Sequence, residues 1–356
     1  MKRAAFAVPG SLETPTGGYA YDRRIIHELE RLGWHVELVD VGEGFPWPTE
    51  ATLSTAHARL SKVPAGQPIV MDGLALGVLP EVASALARRN PLLALVHHPL
   101  ALEWGLSAKR ACIMRRSERS ALASTQGVVV TSPATARIVV SDYDVPADRI
   151  TVARPGNDPV ARARGSRSGV PHLLSVGALI PRKGFDVLVE ALATLTDLPW
   201  RLTIAGDLTR DATAAARLHS EIVRHGLTDR IAVLGAVSSE QLATLYDTAD
   251  LFVLASYFEG YGMAYSEALA YGLPVIGTNA GATAETIPHE AGLLVGAGDA
   301  AALAEALRRA IGDSGLRLRL AGAALVAARQ LPTWPESGRS CRGHRAAQIT
   351  SFGAHR

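Results

Sequence analysis

Twelve short apolar runs, separated by longer segments of helical period, constrain this chain more than any other feature of it. Runs of that kind, rich in β-branched residues, read as strands, and strands that alternate with helices imply βαβ units and parallel sheets. The expected strands fall at residues 4–8, 36–40, 69–72, 92–97, 127–131 and 150–153 in one half, and at 172–176, 201–205, 231–234, 251–254, 274–277 and 292–295 in the other. Helices are expected between them, among others at 19–32, 78–89, 108–124, 184–195, 212–225, 239–248, 263–271, 300–311 and 316–328.

Between the two series, residues 154–171 are rich in Pro, Gly, Ser and Arg and carry no apolar period, the signature of a linker. A length of 356 residues also exceeds what one core holds comfortably. The reading is α/β with two Rossmann-like, doubly wound domains at 1–165 and 170–335, followed by a basic tail at 336–356. Two such halves bring the carboxyl ends of their strands toward each other, so the ligand is expected in a cleft and the chemistry in loops that follow strands.

The net charge of +2 gives no global attraction for nucleic acid, so an anionic ligand must be held by local groups. Only Cys112 and Cys341 are present, far apart, which removes a disulfide framework and a zinc site and fits a reducing, cytoplasmic setting. Behind Met1, Lys2 and Arg3 the apolar stretch at 4–8 ends at Pro9 and Gly10, too short for a secretion signal. No apolar run approaches the roughly 20 residues that span a bilayer, so the chain reads as soluble, with membrane contact at most peripheral.

The densest motif lies at 251–277, where a strand runs into Glu259, Gly260, Tyr261 and Gly262 and then into a helix that opens at Met263 and carries Glu267. The glycines let the backbone approach a ligand, and the helix start offers unpaired N–H groups to negative charge. Glu267 sits among Ala264, Ala268, Leu269 and Ala270, and a carboxylate in such company needs a partner. A ribose 2′,3′-diol suits it, because two vicinal hydroxyls can each donate to one carboxylate oxygen. The plainer alternative is a salt bridge for Glu267 and a solvated loop position for Glu259. Arg182 and Lys183 follow the first strand of the second half and stand at a helix start, a local anion site unless they form only a solvated basic turn. In the first half, Gly17 and Gly18 precede an amphipathic helix with Ile25, Ile26 and Leu29 on its apolar side, and His97 and His98 end a strand at the carboxyl edge of the sheet.

The two glutamates eight positions apart, followed by A-x-G-x-P-V-I from Ala270 to Ile276, closely resemble the retaining glycosyltransferases of the GT-B fold, family 4. The resemblance extends from the Gly17–Gly18 loop to about Leu331. It implies transfer of a sugar from a nucleotide diphosphate sugar to an acceptor hydroxyl with retention of configuration. It puts Glu259 beside the transferred sugar, Glu267 on the nucleotide ribose, and Arg182 with Lys183 on the diphosphate. Backbone N–H groups from Gly260 to Ala264, those of Tyr261, Gly262 and Met263 among them, would meet sugar hydroxyls or the diphosphate. Gly17 and Gly18 are implied to lie against the donor phosphates and the acceptor, and His97 near the reacting sugar carbon. His98 is a second candidate, because one sequence does not fix the register of a double His. Many members carry an Arg where this chain has Ala178, which shifts the burden to Arg182 and Lys183. UDP is the commonest nucleotide in the family, and a glycan, a lipid and a small metabolite are all open as acceptors.

Asp142 and Asp144 form a D-x-D, which binds a metal in another glycosyltransferase fold, but here it reads as a solvated turn in the half away from the basic pair. No metal and no cofactor is expected, the basic pair and helix ends supplying the positive charge. An NAD-dependent oxidoreductase would need G-x-G-x-x-G after the first strand and an acid about 20 positions on, and both are missing. A phosphorylase of the same fold would need a cofactor-bearing lysine, for which Lys2, Lys62, Lys109 and Lys183 have no evident setting. A sugar-nucleotide binder or epimerase without transfer activity is the alternative within the fold. Ser132 reads as a helix N-cap.

Overall fold

The computed structural model describes residues 2–342. The expected strands all form. The first sheet holds β1 (Lys2–Val8), β2 (Trp34–Asp40), β3 (Ile69–Asp72), β4 (Leu92–Val96), β5 (Gly127–Val130) and β6 (Ile150–Val152). The second holds β7 (His172–Val176), β8 (Arg201–Ala205), β9 (Ile231–Val233), β10 (Leu251–Leu254), β11 (Val275–Thr278) and β12 (Gly292–Val295). The strand orders are β2-β1-β3-β4-β5-β6 and β12-β11-β10-β7-β8-β9, with neighbours parallel. Chain order therefore reverses between β1 and β3 in one sheet and between β7 and β10 in the other. At such a switch point the connections leave over opposite faces, and a crevice opens at the carboxyl ends of the two strands.

The chain divides into two compact units. The first contains residues up to Thr14, Gly18–Gly156 and the described residues from Pro332 on; the second contains Pro15–Gly17 and Asn157–Leu331. The expected boundary at 165 thus shifts to 156, and hydrogen bonds account for the shift. Ala163 N–H donates to the Tyr271 carbonyl at 2.9 Å, and Arg164 and Gly165 N–H donate to the Asp247 carbonyl at 2.8 and 3.0 Å, which fastens the linker to the second unit.

The expected basic tail from 336 also needs correction. Trp334–Arg342 is a helix of the first unit, while residues 343–356 lie outside the described residues. Its contact stripe is Trp334, Ser337, Gly338 and Cys341, a helical spacing built almost wholly of small side chains. Trp334 is buried against the Tyr21 ring, with centroids 6.1 Å apart, and under the Arg24 guanidinium at 4.9 Å. The Ser337 hydroxyl donates to the Arg154 carbonyl at 2.5 Å, and a Cβ on Gly338 would stand 2.5 Å from Glu28 Cβ. Gly156 meets the Trp334 backbone so closely that a Cβ there would lie 2.2 Å from Trp334 N.

Each unit has its own core. In the second, Leu174, Phe252 and Ile276 from the sheet pack with Leu188, Leu192, Tyr265 and Leu307 from helices. Phe252 and Tyr265 meet edge to face at 5.6 Å, a geometry that adds about 1 kcal/mol to the area they bury. In the first, Met71, Leu92 and Val128 pack with Leu60, Leu76 and Leu122. Ser132 does cap a helix, Pro133–Tyr143, accepting from Thr135 N–H at 3.0 Å with Pro133 at the first helical position. The D-x-D lies at the end of that helix rather than in a free loop. Asp142 is within it, and Asp144 closes it at φ +56° while pairing with Arg119. No described helix is long and apolar enough to cross a membrane.

Candidate functional site

In the second unit the groups singled out in the sequence gather at the switch point between β7 and β10. After β7 the chain makes a 3-10 turn, Pro181–Lys183, and then Gly184 at φ +63°, from which the helix Phe185–Ala193 starts. Glycine is required at 184 twice over. The left-handed backbone disfavours a side chain, and a Cβ would lie 2.0 Å from the Ala255 carbonyl in the loop after β10. This close crossing sets the basic pair onto the acidic loop. Lys183 Nζ donates to Glu259 Oε1 at 2.7 Å, Arg182 donates to the Phe258 carbonyl at 2.7 Å, and the same guanidinium nitrogen stands 3.7 Å from Glu259 Oε2. Ser256 also donates its hydroxyl to Glu259 Oε1, at 2.6 Å.

Glu259 is therefore neither solvated nor loose. It is 5% exposed, and its backbone is pinned from the other side, where its carbonyl accepts from Ala282 N–H at 2.8 Å against Gly281. Burial is the largest influence on its pKa and pushes upward, but Lys183 and Arg182, with the hydrogen bonds from Lys183 and Ser256, outweigh it and hold the pKa below the usual carboxylate value. The site thus keeps a fixed, ionised acceptor beside two cations. Gly260, Tyr261 and Gly262 are buried behind it, and Gly262 at φ +88° turns the chain into the helix Met263–Ala270.

Glu267 lies on that helix with an acidic group and a cation in electrostatic reach. Burial raises its pKa most, Asp158 adds to the rise, and Lys183 opposes it. Its direct partner is a residue that the sequence did not single out. Tyr246 donates its hydroxyl to Glu267 Oε2 at 2.8 Å, from a ring stacked on Tyr271 at 5.1 Å and 11°. Tyr246 thereby fixes one carboxylate oxygen, and the carboxylate has lone pairs left to accept further donors. A helical tyrosine among apolar neighbours carries no sequence signal for this.

In the first unit the two histidines have different carboxylate partners. His97 Nε2 lies 3.0 Å from Asp22 Oδ1 and 3.6 Å from Asp72 Oδ2. His98 instead pairs with Glu103 at 3.2 Å. Asp22 is on the helix Gly17–Arg31, Asp72 closes β3 and accepts from Leu74 N–H at 2.6 Å, and Tyr21 sets its ring at 86° to the imidazole. Gly18 covers the imidazole, since a Cβ there would reach His97 Cδ2 at 3.4 Å, and Gly17 begins the same helix. Burial works against charge on His97, but Asp22 and Asp72 prevail and raise its pKa, so the ring is an imidazolium near neutral pH. Asp22, Asp72 and His97 also bring ligand atoms within 4.8 Å of one another, a spacing that a metal ion could use. The 3.0 Å approach of Nε2 to Asp22 is also a hydrogen-bond distance. Asp72 had a signal, an acid at the carboxyl end of a strand; Asp22 had a fainter one, an acid three and four positions before Ile25 and Ile26 on the apolar helix side.

Two sheets of this topology are shared across almost the full length of known structures. Sucrose-phosphate synthase from Thermosynechococcus elongatus superposes with a TM-score of 0.83 at 22% identity, covering 99% of this chain and 100% of that one. HepE from Anabaena, solved in complex with UDP-glucose, gives 0.77 at 21% identity with 99% and 100% coverage. The fold is accordingly GT-B, two Rossmann-like domains. Residues 159–325, which contain Arg182, Lys183, Glu259 and Glu267, match the family described as "Glycosyl transferases group 1". Among curated proteins, the D-inositol 3-phosphate glycosyltransferase of Pseudarthrobacter chlorophenolicus is 33% identical over 205 residues, 53% of this chain and 48% of that protein. Mannosylfructose-phosphate synthase of Agrobacterium fabrum is 30% identical over 168 residues, 42% and 37% of the two chains. The alignment with the first of these relatives spans about half of its length.

Proposed function

We propose that the protein transfers a glycosyl group from a nucleotide diphosphate sugar, UDP being the nucleotide, to an acceptor hydroxyl, with retention of configuration as in family 4. The observation that carries this reading is the buried, ionised Glu259 with Lys183 at 2.7 Å and Arg182 at 3.7 Å, at the switch point of a segment that matches the group 1 glycosyltransferases. A carboxylate held in that way accepts from sugar hydroxyls and orients the ring, while the two cations and the N–H groups from Gly260 to Met263 receive the charge that grows on the departing diphosphate. Glu267, steadied by Tyr246, accepts from the ribose hydroxyls.

In the reaction the bond from the anomeric carbon to the phosphate oxygen breaks and the acceptor oxygen bonds to that carbon from the same face. The acceptor proton passes to the departing phosphate. His97, brought to the sugar by the family resemblance, acts as a hydrogen-bond donor, because Asp22 and Asp72 keep it protonated and unfit to be a base. Lys183 and Arg182 do the electrostatic work that a cation does elsewhere, so the reaction needs neither metal nor cofactor, and it belongs in the reducing cytoplasm. The acceptor is a glycan, a lipid or a small metabolite.

The test is a panel of nucleotide sugars scored for nucleotide release with and without cell extract, repeated in EDTA. Extract-dependent release from a UDP-sugar is expected, unchanged by the chelator. Glu259→Gln should retain the fold and lower turnover by about 100-fold, the cost of removing one preorganised electrostatic contact. Binding without release would make the protein a carrier of sugar nucleotides, and reduction of NAD would overturn the assignment outright.

A further inference from the structure

The helix Ala108–Ala123 presents only positive charge to solvent. Lys109, Arg110, Arg115, Arg116 and Arg119 are exposed, whereas its one acid, Glu118, is turned inward and accepts from Leu100 N–H at 3.0 Å. Arg119 is spoken for by Asp144, but no carboxylate pairs with Lys109, Arg110 or Arg116 among the described residues. Bulky apolar side chains stand among these cations. Ile113, four positions after Lys109 and three before Arg116, is 55% exposed. Trp104, just ahead of the N-cap Ser107, is 50% exposed, and Trp47 is 51% exposed with the Arg110 guanidinium 5.1 Å above its ring.

Cations left without counter-charge favour an anionic surface, and exposed indoles interleaved with them suit the half-wet layer of lipid headgroups. A nucleic-acid partner would use the arginines but has no use for Ile113 in their midst. We propose that this helix, with Trp47 and Trp104, is a docking face for an anionic lipid bilayer. Attachment of this kind is independent of the transfer reaction.

The full chain should float with vesicles of phosphatidylcholine and phosphatidylglycerol, stay behind with phosphatidylcholine alone, and be released at about 0.5 M salt, where charges are screened within a few ångströms. Charge reversal at three positions, Lys109→Glu with Arg110→Glu and Arg116→Glu, removes three attractive contacts and should weaken vesicle binding by roughly a hundredfold or more. Trp104→Ser with Ile113→Ser should weaken it while leaving the salt dependence in place, and circular dichroism checks that both variants are folded. Equal binding to neutral vesicles, or full binding by the folded charge-reversed variant, would overturn the proposal. So would capture of duplex DNA by a protein that ignores anionic vesicles.

Discussion

Replacing Lys183 with Ala isolates the contact on which the candidate site turns. Breaking a buried ion pair from one side typically costs about 3–5 kcal/mol, because a desolvated charge is left behind. Here Arg182 at 3.7 Å and the Ser256 hydroxyl at 2.6 Å still serve Glu259, so about 2–3 kcal/mol is expected. For a unit of this size that lowers Tm by roughly 5–10 °C. The pH dependence gives the sharper reading. In the wild type Glu259 has a depressed pKa, so its stabilising effect is present above its ordinary value of 4.5 and fades as pH falls through the depressed value. In the variant burial is less opposed and the pKa moves upward, so the deficit is small in acid and widens as pH rises from the wild-type value, below 4.5, to the raised value of the variant. Denaturant unfolding at both ends of that range, for wild type, Lys183→Ala, Glu259→Gln and the double variant, measures it. Equal losses at both pH values, or strict additivity in the double variant, would refute the coupling.

Asp22→Asn should lower the His97 pKa by about one to three units, followed by NMR titration of the imidazole, and an unmoved midpoint would deny Asp22 its part. Glu118, whose pKa burial raises to about 8, keeps in the folded state a proton that the unfolded chain releases above 4.5; stability should therefore fall as pH rises between those values. Glu118→Gln should flatten that decline, and an unchanged slope in unfolding experiments would count against it. Gly184→Ala combines a left-handed backbone with a Cβ 2.0 Å from the Ala255 carbonyl and should cost about 3 kcal/mol or more, whereas a near-normal Tm would mean the two loops can separate freely.

The strands were legible because a strand buried on both faces is a short unbroken apolar run, as Leu251 to Leu254 illustrates, and period and length suffice to find it. That the loops of the second unit meet was legible for a related reason: glycines and charges directly after such a run stand at the carboxyl end of a strand, where the loops of neighbouring parallel strands converge. What stayed hidden depends on partners distant in sequence. The Lys183 contact with Glu259 joins residues 76 positions apart, and no local pattern distinguishes a cation aimed at phosphate from one already resting on a carboxylate. Tyr246, Asp22 and Asp72 are further cases, since each acquires meaning only from the group it faces. The last helix escaped because its contact face is Ser337, Gly338 and Cys341 behind a single Trp334, and an apolar period cannot register residues chosen for smallness.

That last helix has a practical consequence. The first unit is assembled from both extremities of the chain, so cutting at the linker does not release it whole. A fragment ending at Gly156 lacks the cover that Trp334 gives to Tyr21 and Arg24, and one beginning at Asn157 carries Pro332 to Arg342 as an orphaned appendage. Anyone wishing to study the half that bears His97 in isolation should graft the 332–342 peptide back by a short tether, or rearrange the gene so that it precedes Lys2.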